Sequence, residues 1–174
     1  MFFKSMLTFI KLFFLRLRIK RREHRDLLRP AEPDGQHSLG LLIDLDLFSV
    51  PSVVNQLSEA FKIPKESIHV LGFSMTQLNV DVPAFVMGSH LSWFGGQISE
   101  SVLSFKQKPY RYLLNFHRTT HPVVIAINQE TRANFKMGID KDQECQLDFI
   151  LNTTHVASKD IISQLGSYVQ KITL

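Results

Sequence analysis

The chain has 174 residues, of which 44% are apolar, 21% charged and 10% aromatic. This length suits one domain that buries more than half of its unfolded surface, and the apolar content excludes a disordered chain. Cys145 is the single cysteine, which excludes a disulfide framework and a cysteine-built zinc site, and we predict no disulfide-linked partner. It is compatible with a reducing compartment such as the cytoplasm.

The formal net charge of +4 is distributed unevenly along the chain. Residues 1–29 contain nine basic and two acidic side chains, a net charge of +7. Residues 30–174 contain the other eleven basic and fourteen acidic side chains, a net charge of −3. Such an asymmetry is typical of an interaction segment attached to an otherwise ordinary domain.

The basic segment, residues 1–29, begins with the most apolar stretch of the chain, MFFKSMLTFIKLFFLRLRI. At 100° per residue its phenylalanines share one broad side, whereas basic residues recur every seven positions on the other side. A membrane-spanning helix is excluded because Lys4 and Lys11 interrupt the apolar run and Arg16 ends it. A signal peptide is disfavoured because the segment has no small-residue cleavage site before its basic block.

We predict that this segment forms an amphipathic helix that docks on the inner surface of an anionic membrane or on a protein partner. Nucleic acid is the less favoured partner, because the phenylalanines alternate with leucine rather than forming a base-stacking surface. Packing of the helix on its own domain is the remaining interpretation. The predicted contact residues are Phe2, Phe3, Phe9, Phe13, Lys4, Lys11, Arg18 and Arg22.

Residues 30–37 are predicted to be a linker, and residues 38–174 a single α/β domain. Strands are predicted over residues 38–45, 67–73, 110–116, 134–139 and 146–151, and helices over residues 51–62, 97–107, 121–131 and 158–171. Residues 74–96 have no regular pattern. In helix 97–107 the buried positions are predicted to be Val102, Leu103 and Phe105.

Residues 121–128, HPVVIAIN, are ambiguous, because their β-branched residues suit a strand whereas Pro122 suits the first turn of a helix. A helix is favoured, because it supplies the crossover between the strands on either side. The resulting alternation predicts a three-layer, Rossmann-like or flavodoxin-like fold, with a mostly parallel five-stranded sheet of order 2-1-3-4-5 and helices on both faces.

Several pieces of the sequence resemble a family of short, uncharacterised bacterial α/β proteins of the Bacteroidetes type, whose function is unknown. They are the basic first helix, the strands SLGLLID and VLGF, the turn SWFGG, and the segments KPYRYLLNF, ANFKMGI and LDFIL. The order of YLLNF, a helix and FKMGI is also distantly similar to the N-terminal half of heptosyltransferase-type GT-B glycosyltransferases. Both resemblances imply a fold and neither implies an activity.

In an open parallel sheet, ligands bind outside the carboxyl ends of the strands. The residues predicted to lie there form a candidate crevice that consists of Asp44, Asp46, Ser74, His117, Arg118, His121, Asn152, Thr153 and His155. The spacing of Asp44 and Asp46 after a strand is similar to the nucleophile and acid of haloacid-dehalogenase phosphatases, but Phe48 stands where a hydroxyl residue is needed.

Two further motifs give weaker indications of a ligand site. His117 and His121 have the spacing of two metal ligands on a helical turn, but Pro122 disfavours that helix. Gly95 and Gly96 follow Trp93 and Phe94 rather than a strand, so no phosphate-binding loop is predicted. We therefore predict no catalytic residue, no metal and no cofactor. The alternatives to a docked, non-enzymatic domain are a small ligand-binding or hydrolase-like domain that uses the crevice and an RNA-associated protein.

Overall fold

The computed structural model describes residues 38–74, 83–86, 100–118, 121–139, 147–153 and 158–172. In these ranges the strands are β1 (Leu39–Asp44), β2 (Ile68–Ser74), β3 (Ala84–Val86), β4 (Tyr110–Phe116), β5 (Ala133–Ile139) and β6 (Phe149–Leu151). The α-helices are α1 (Val50–Phe61), α2 (Glu100–Gln107), α3 (Pro122–Glu130) and α4 (Ser158–Ile172), and a 3₁₀ turn covers Lys65–Ser67.

The strands form one parallel sheet of order β3-β2-β1-β4-β5-β6. The five predicted strands are β2, β1, β4, β5 and β6, and their predicted order is confirmed. The sixth strand, β3, corrects the prediction that residues 74–96 lack regular structure. It has three residues, which are too few to show an alternating pattern in the sequence. Its pairing with β2 begins at Gly72, whose N–H donates to the Pro83 carbonyl at 2.9 Å.

Each face of the sheet has its own helical layer, which confirms the three-layer arrangement. On one face α2 and α3 pack on alternate residues of the central strands, including Leu42, Leu71 and Leu113. On the other face α1 and α4 pack on the intervening residues, such as Leu41 and Leu114. Leu41, Leu42, Leu113 and Leu114 are completely buried, as expected of central parallel strands covered on both sides.

Helix α3 confirms the helical interpretation of residues 121–128 and explains their ambiguity. His121 precedes the first turn and its Nδ1 accepts a hydrogen bond from Val123 N–H at 3.3 Å, while Pro122 occupies the first turn. Every residue from Pro122 to Asn128 is buried. Because the helix is covered on all sides, it lacks the polar face that produces a helical pattern in sequence.

The packing of α2 corrects one predicted buried position. Leu103 of α2 is 41% exposed, so its predicted burial is wrong, whereas Val102 and Phe105 are buried as predicted. One turn cannot direct all three side chains to the same face. Between α1 and α4, a Cβ added at Gly166 would lie 2.7 Å from Ala60 Cβ, so only glycine permits these two backbones to approach so closely.

The predicted basic segment (residues 1–29) and linker (residues 30–37) lie outside the described residues, as does the aromatic turn at residues 92–96. Among the helices that the structure describes, none combines the length and the hydropathy that a membrane crossing requires.

Candidate functional site

The strand order creates one switch point in the sheet. From β1 the chain proceeds outward to β2 and β3, and it then returns to the other side of β1 to form β4. The order β3-β2-β1-β4-β5-β6 is that of dinucleotide-binding folds, in which ligands bind where the carboxyl ends of the two central strands diverge. In this chain β1 ends at Asp44 and β4 ends at Phe116, so the candidate crevice lies beside these residues.

Three predicted site residues form one hydrogen-bonded group at this position. Asp44 Oδ1 accepts a hydrogen bond from Asp46 N–H at 2.9 Å, which closes a tight turn directly after β1. Ser74, the last residue of β2, donates its hydroxyl to Asp46 Oδ1 at 2.7 Å. Asp44 and Ser74 are buried whereas Asp46 is exposed, so the group reaches from the sheet interior to solvent.

The local environment favours the neutral form of Asp44. Burial raises the pKa of its carboxyl, and the negative charge of Asp46 raises this pKa further. The backbone N–H groups of Asp46 and Leu47 act in the opposite direction, because hydrogen bonds to a carboxylate stabilise its charge. Burial is the largest of these contributions, so the folded protein stabilises the charged form of Asp44 less than water does.

His117 lies next to Asp44 in the sheet. The last paired residues of β1 and β4 are Ile43 and Phe116, and Asp44 and His117 are the residues that follow them. His117 is only 4% exposed, and its ring contacts Phe73 edge-on with 5.7 Å between centroids. The register therefore places a carboxyl at the end of β1 beside an imidazole directly after β4, at the switch point.

The remaining predicted site residues are less closely grouped. Arg118 Nη2 donates to Thr153 Oγ1 at 3.2 Å, which links the segment after β4 to the segment after β6. Asn152 is exposed beside Thr153. His121 is at the start of α3, whereas His117 follows β4, so the two histidines are not on one helical turn. His155 lies outside the described residues, as does Cys145.

Sequence reasoning missed a buried amide pair beneath this crevice. Asn115 Nδ2 donates to Asn128 Oδ1 at 3.0 Å and to the Met137 carbonyl at 3.2 Å. Asn115 Oδ1 and Asn128 Nδ2 are buried and have no hydrogen-bond partner in the described part of the chain. Asn115 interrupts the apolar end of its strand, YLLNF, and this polar residue was the one available signal.

The chemistry of the group disfavours a phosphate ligand. The segment after β1, LDLFSV, has no glycine, and Asp44 and Asp46 place two carboxyl groups where dinucleotide-binding folds present backbone N–H groups. Within the residues that the structure describes, no three His, Cys, Asp or Glu side chains are grouped so as to hold a metal ion. Asp46, the exposed member of the group, presents carboxylate oxygens that can accept hydrogen bonds from a small polar ligand.

Comparisons with known proteins give a family and no activity. The family model described as "Family of unknown function (DUF6913)" matches residues 11–172. No curated protein and no solved structure matches the chain. Nothing in the comparisons bears on the expected similarity to heptosyltransferases or on a bacterial group.

Proposed function

The chain belongs to DUF6913, a family of unknown function, and we propose that it is a non-enzymatic α/β domain that residues 1–29 dock on the inner surface of an anionic membrane. The proposal places the protein in the cytoplasm, at the membrane periphery. The observation that carries it is the charge separation between residues 1–29, at +7, and residues 30–174, at −3.

The fold supports this role for the basic segment. The two faces of the sheet already have helical layers, formed by α1 with α4 and by α2 with α3. The phenylalanines of residues 1–29 are therefore not needed as a layer on the central strands. An amphipathic helix with aromatic residues on one side and basic residues on the other suits the boundary between lipid headgroups and acyl chains.

Vesicle sedimentation tests the proposal with the full chain. We expect binding to vesicles that contain phosphatidylglycerol and much weaker binding to pure phosphatidylcholine vesicles. Replacing Phe9 and Phe13 with serine is expected to remove most of the binding, because each phenylalanine loses its apolar contact with the bilayer. Replacing the same two residues with leucine is the matched control and is expected to preserve binding.

Equal sedimentation of the wild-type chain and the serine variant contradicts the proposal. A serine variant that binds vesicles normally but has a lower free energy of unfolding instead shows that the segment packs on its own domain. Stronger binding to poly(U) than to anionic vesicles at the same salt concentration favours the RNA-associated alternative.

A second function, binding of a small polar ligand in the crevice, is favoured by the hydrogen-bonded group of Asp44, Asp46 and Ser74 at the switch point. Thermal unfolding in the presence of AMP with Mg²⁺, and separately of adenosine, tests this function. A rise in Tm with adenosine alone that is lost in Asp46→Ala supports a neutral ligand. A rise that requires AMP and Mg²⁺ contradicts our interpretation that the carboxyl groups disfavour phosphate.

A further inference from the structure

The edge of the sheet at which the strands begin, here called the amino edge, carries a cluster of exposed basic residues. The connection from α1 to β2 contributes Lys62 and Lys65, the connection from α2 to β4 contributes Lys108, and the connection from α3 to β5 contributes Arg132. These three connections, residues 62–67, 108–109 and 131–132, contain one acidic residue, Glu66.

Hydrogen bonds join two of these connections to each other and to Ser38, and the sheet places the third, residues 62–67, at the start of β2. Tyr110 N–H donates to the Arg132 carbonyl at 3.1 Å, and Ser38 Oγ donates to the Pro109 carbonyl at 3.0 Å. The strands β2, β1, β4 and β5 are consecutive, so their starting residues span about 14 Å at the usual spacing between strands. This distance is short enough for the four basic side chains to face the same area of an anionic surface.

The basic N-terminal segment joins the domain at this same edge. Ser38 directly precedes β1, in the middle of the sheet, and its carbonyl accepts hydrogen bonds from Arg111 and Tyr112 N–H. The eight residues of the linker, 30–37, reach at most about 28 Å when fully extended. The segment with a charge of +7 is thus tethered at the edge that carries the basic cluster.

The opposite edge of the sheet, the carboxyl edge, is less basic in its described part. The ends of β1 and β4 contribute the carboxyl groups of Asp44 and Asp46 and one cation, Arg118. The domain is therefore polarised along its strands, with basic residues at the amino edge and carboxyl groups beside the candidate crevice. Near an anionic surface, such a charge distribution favours one orientation.

We infer that the amino edge is a second membrane-contact surface, in which Lys62, Lys65, Lys108 and Arg132 contact anionic lipid headgroups and direct the crevice away from the membrane. The inference rests on the proposed docking of residues 1–29 and adds the orientation of the domain. The occupant is an anionic bilayer, because lysines on separate connections form a broad positive patch rather than a pocket for one molecule.

The test replaces these four residues with glutamine in the full chain and measures sedimentation with phosphatidylglycerol vesicles. A basic residue near an anionic surface strengthens binding roughly fivefold, so we expect at least tenfold weaker binding from the four changes together. The matched control lowers the net charge by the same amount on exposed helical positions, with Asn55→Glu, Ser104→Glu, Ser163→Glu and Gln164→Glu. We expect the control to bind at least threefold more tightly than the edge variant.

The binding results distinguish failure of the amino-edge surface from failure of the proposed docking by residues 1–29. If the phenylalanine-to-serine variant loses binding but the glutamine variant binds like the control, the docking segment stands and the amino-edge surface is overturned. If the wild-type chain does not bind, the docking proposal fails and this inference fails with it. Circular dichroism verifies that each variant is folded before its binding is compared.

A second measurement reports the orientation of the domain on the membrane and changes at most one of the four basic residues. In a Cys145→Ser background, an environment-sensitive fluorophore is attached to Lys65→Cys or to Asn152→Cys, residues that follow α1 and β6 at opposite edges. We expect a blue shift on vesicle binding at position 65 and none at position 152. A blue shift at position 152 alone overturns the inference.

Discussion

The two edges of the sheet are built from different interactions. At the amino edge, backbone groups of neighbouring connections bond directly to each other, and Tyr110 donates its buried hydroxyl to the Phe105 carbonyl at 3.1 Å. Toward the carboxyl edge, polar side chains such as Asp44, Asn115 and His117 are buried, which costs free energy unless their polar groups are hydrogen-bonded. The amino edge thus rests on backbone hydrogen bonds, whereas buried polar side chains are concentrated toward the carboxyl edge.

The largest expected effect is at the amino edge. Tyr110→Ala removes a ring that is 1% exposed and packs near Phe105 and Leu113, and we expect a loss of about 3–5 kcal/mol in the free energy of unfolding by urea denaturation. Tyr110→Phe removes only the hydrogen bond to Phe105, so a loss of about 1 kcal/mol is expected. Equal losses in both variants contradict the packing role of the ring.

A smaller loss is expected beneath the carboxyl edge. Asn115→Ala leaves Asn128 Oδ1 buried without its donor, which costs about 1–3 kcal/mol in urea denaturation. The exposed residue Asn134 provides the control, because Asn134→Ala is expected to change stability by less than about 0.5 kcal/mol. A stabilised Asn115→Ala variant shows that the amide pair is a net cost and sharpens the contrast between the edges.

In contrast to the substitutions at Tyr110 and Asn115, replacing Asp44 is expected to increase the free energy of unfolding. Because burial raises the pKa of Asp44 above its value in the unfolded chain, the native state binds this proton more tightly, and the contribution of Asp44 to stability falls as pH rises above 3.8. Asp44→Asn is therefore expected to unfold at a higher urea concentration than wild type at pH 7. The difference should vanish at a pH well below 3.8, where Asp44 is neutral in both states. A less stable variant at pH 7 shows that the carboxylate itself supports the fold.

The smallest effect concerns the surface of the amino edge. Lys108 Nζ lies 3.2 Å from His69 Nδ1, and burial together with this cation lowers the pKa of His69. Lys108→Gln is expected to raise the pKa of His69 in an NMR titration and to change stability by less than about 0.5 kcal/mol. An unchanged titration contradicts the contact, and Lys65→Gln is the control that leaves the titration of His69 unaltered.

Much of the fold follows from local patterns. The run SLGLLIDL has the length and continuous apolar character of a buried parallel strand, and β1 covers Leu39–Asp44. The helical spacing of apolar residues in 51–62 places Val53 and Leu57 on the buried face of α1. Strand β3 was not predicted from the sequence, because its three residues form a strand only through their pairing with β2.

The candidate site was only partly predictable. The rule that ligands bind at strand ends was sufficient to select Asp44, Asp46 and Ser74, and the hydrogen bond between Ser74 and Asp46 joins residues 28 positions apart. The partnership of Asn115 with Asn128 was not predictable, because no local pattern indicates which helical residue lies over which strand residue.

By itself the sequence determined the alternation of strands and helices and the concentration of positive charge in residues 1–29, because periodicity and composition are local properties of the chain. Only the tertiary structure decided that Lys62, Lys65, Lys108 and Arg132 share an edge with the attachment point of that segment. The physical reason is the parallel sheet, which collects the starts of distant strands at one edge and their ends at the other.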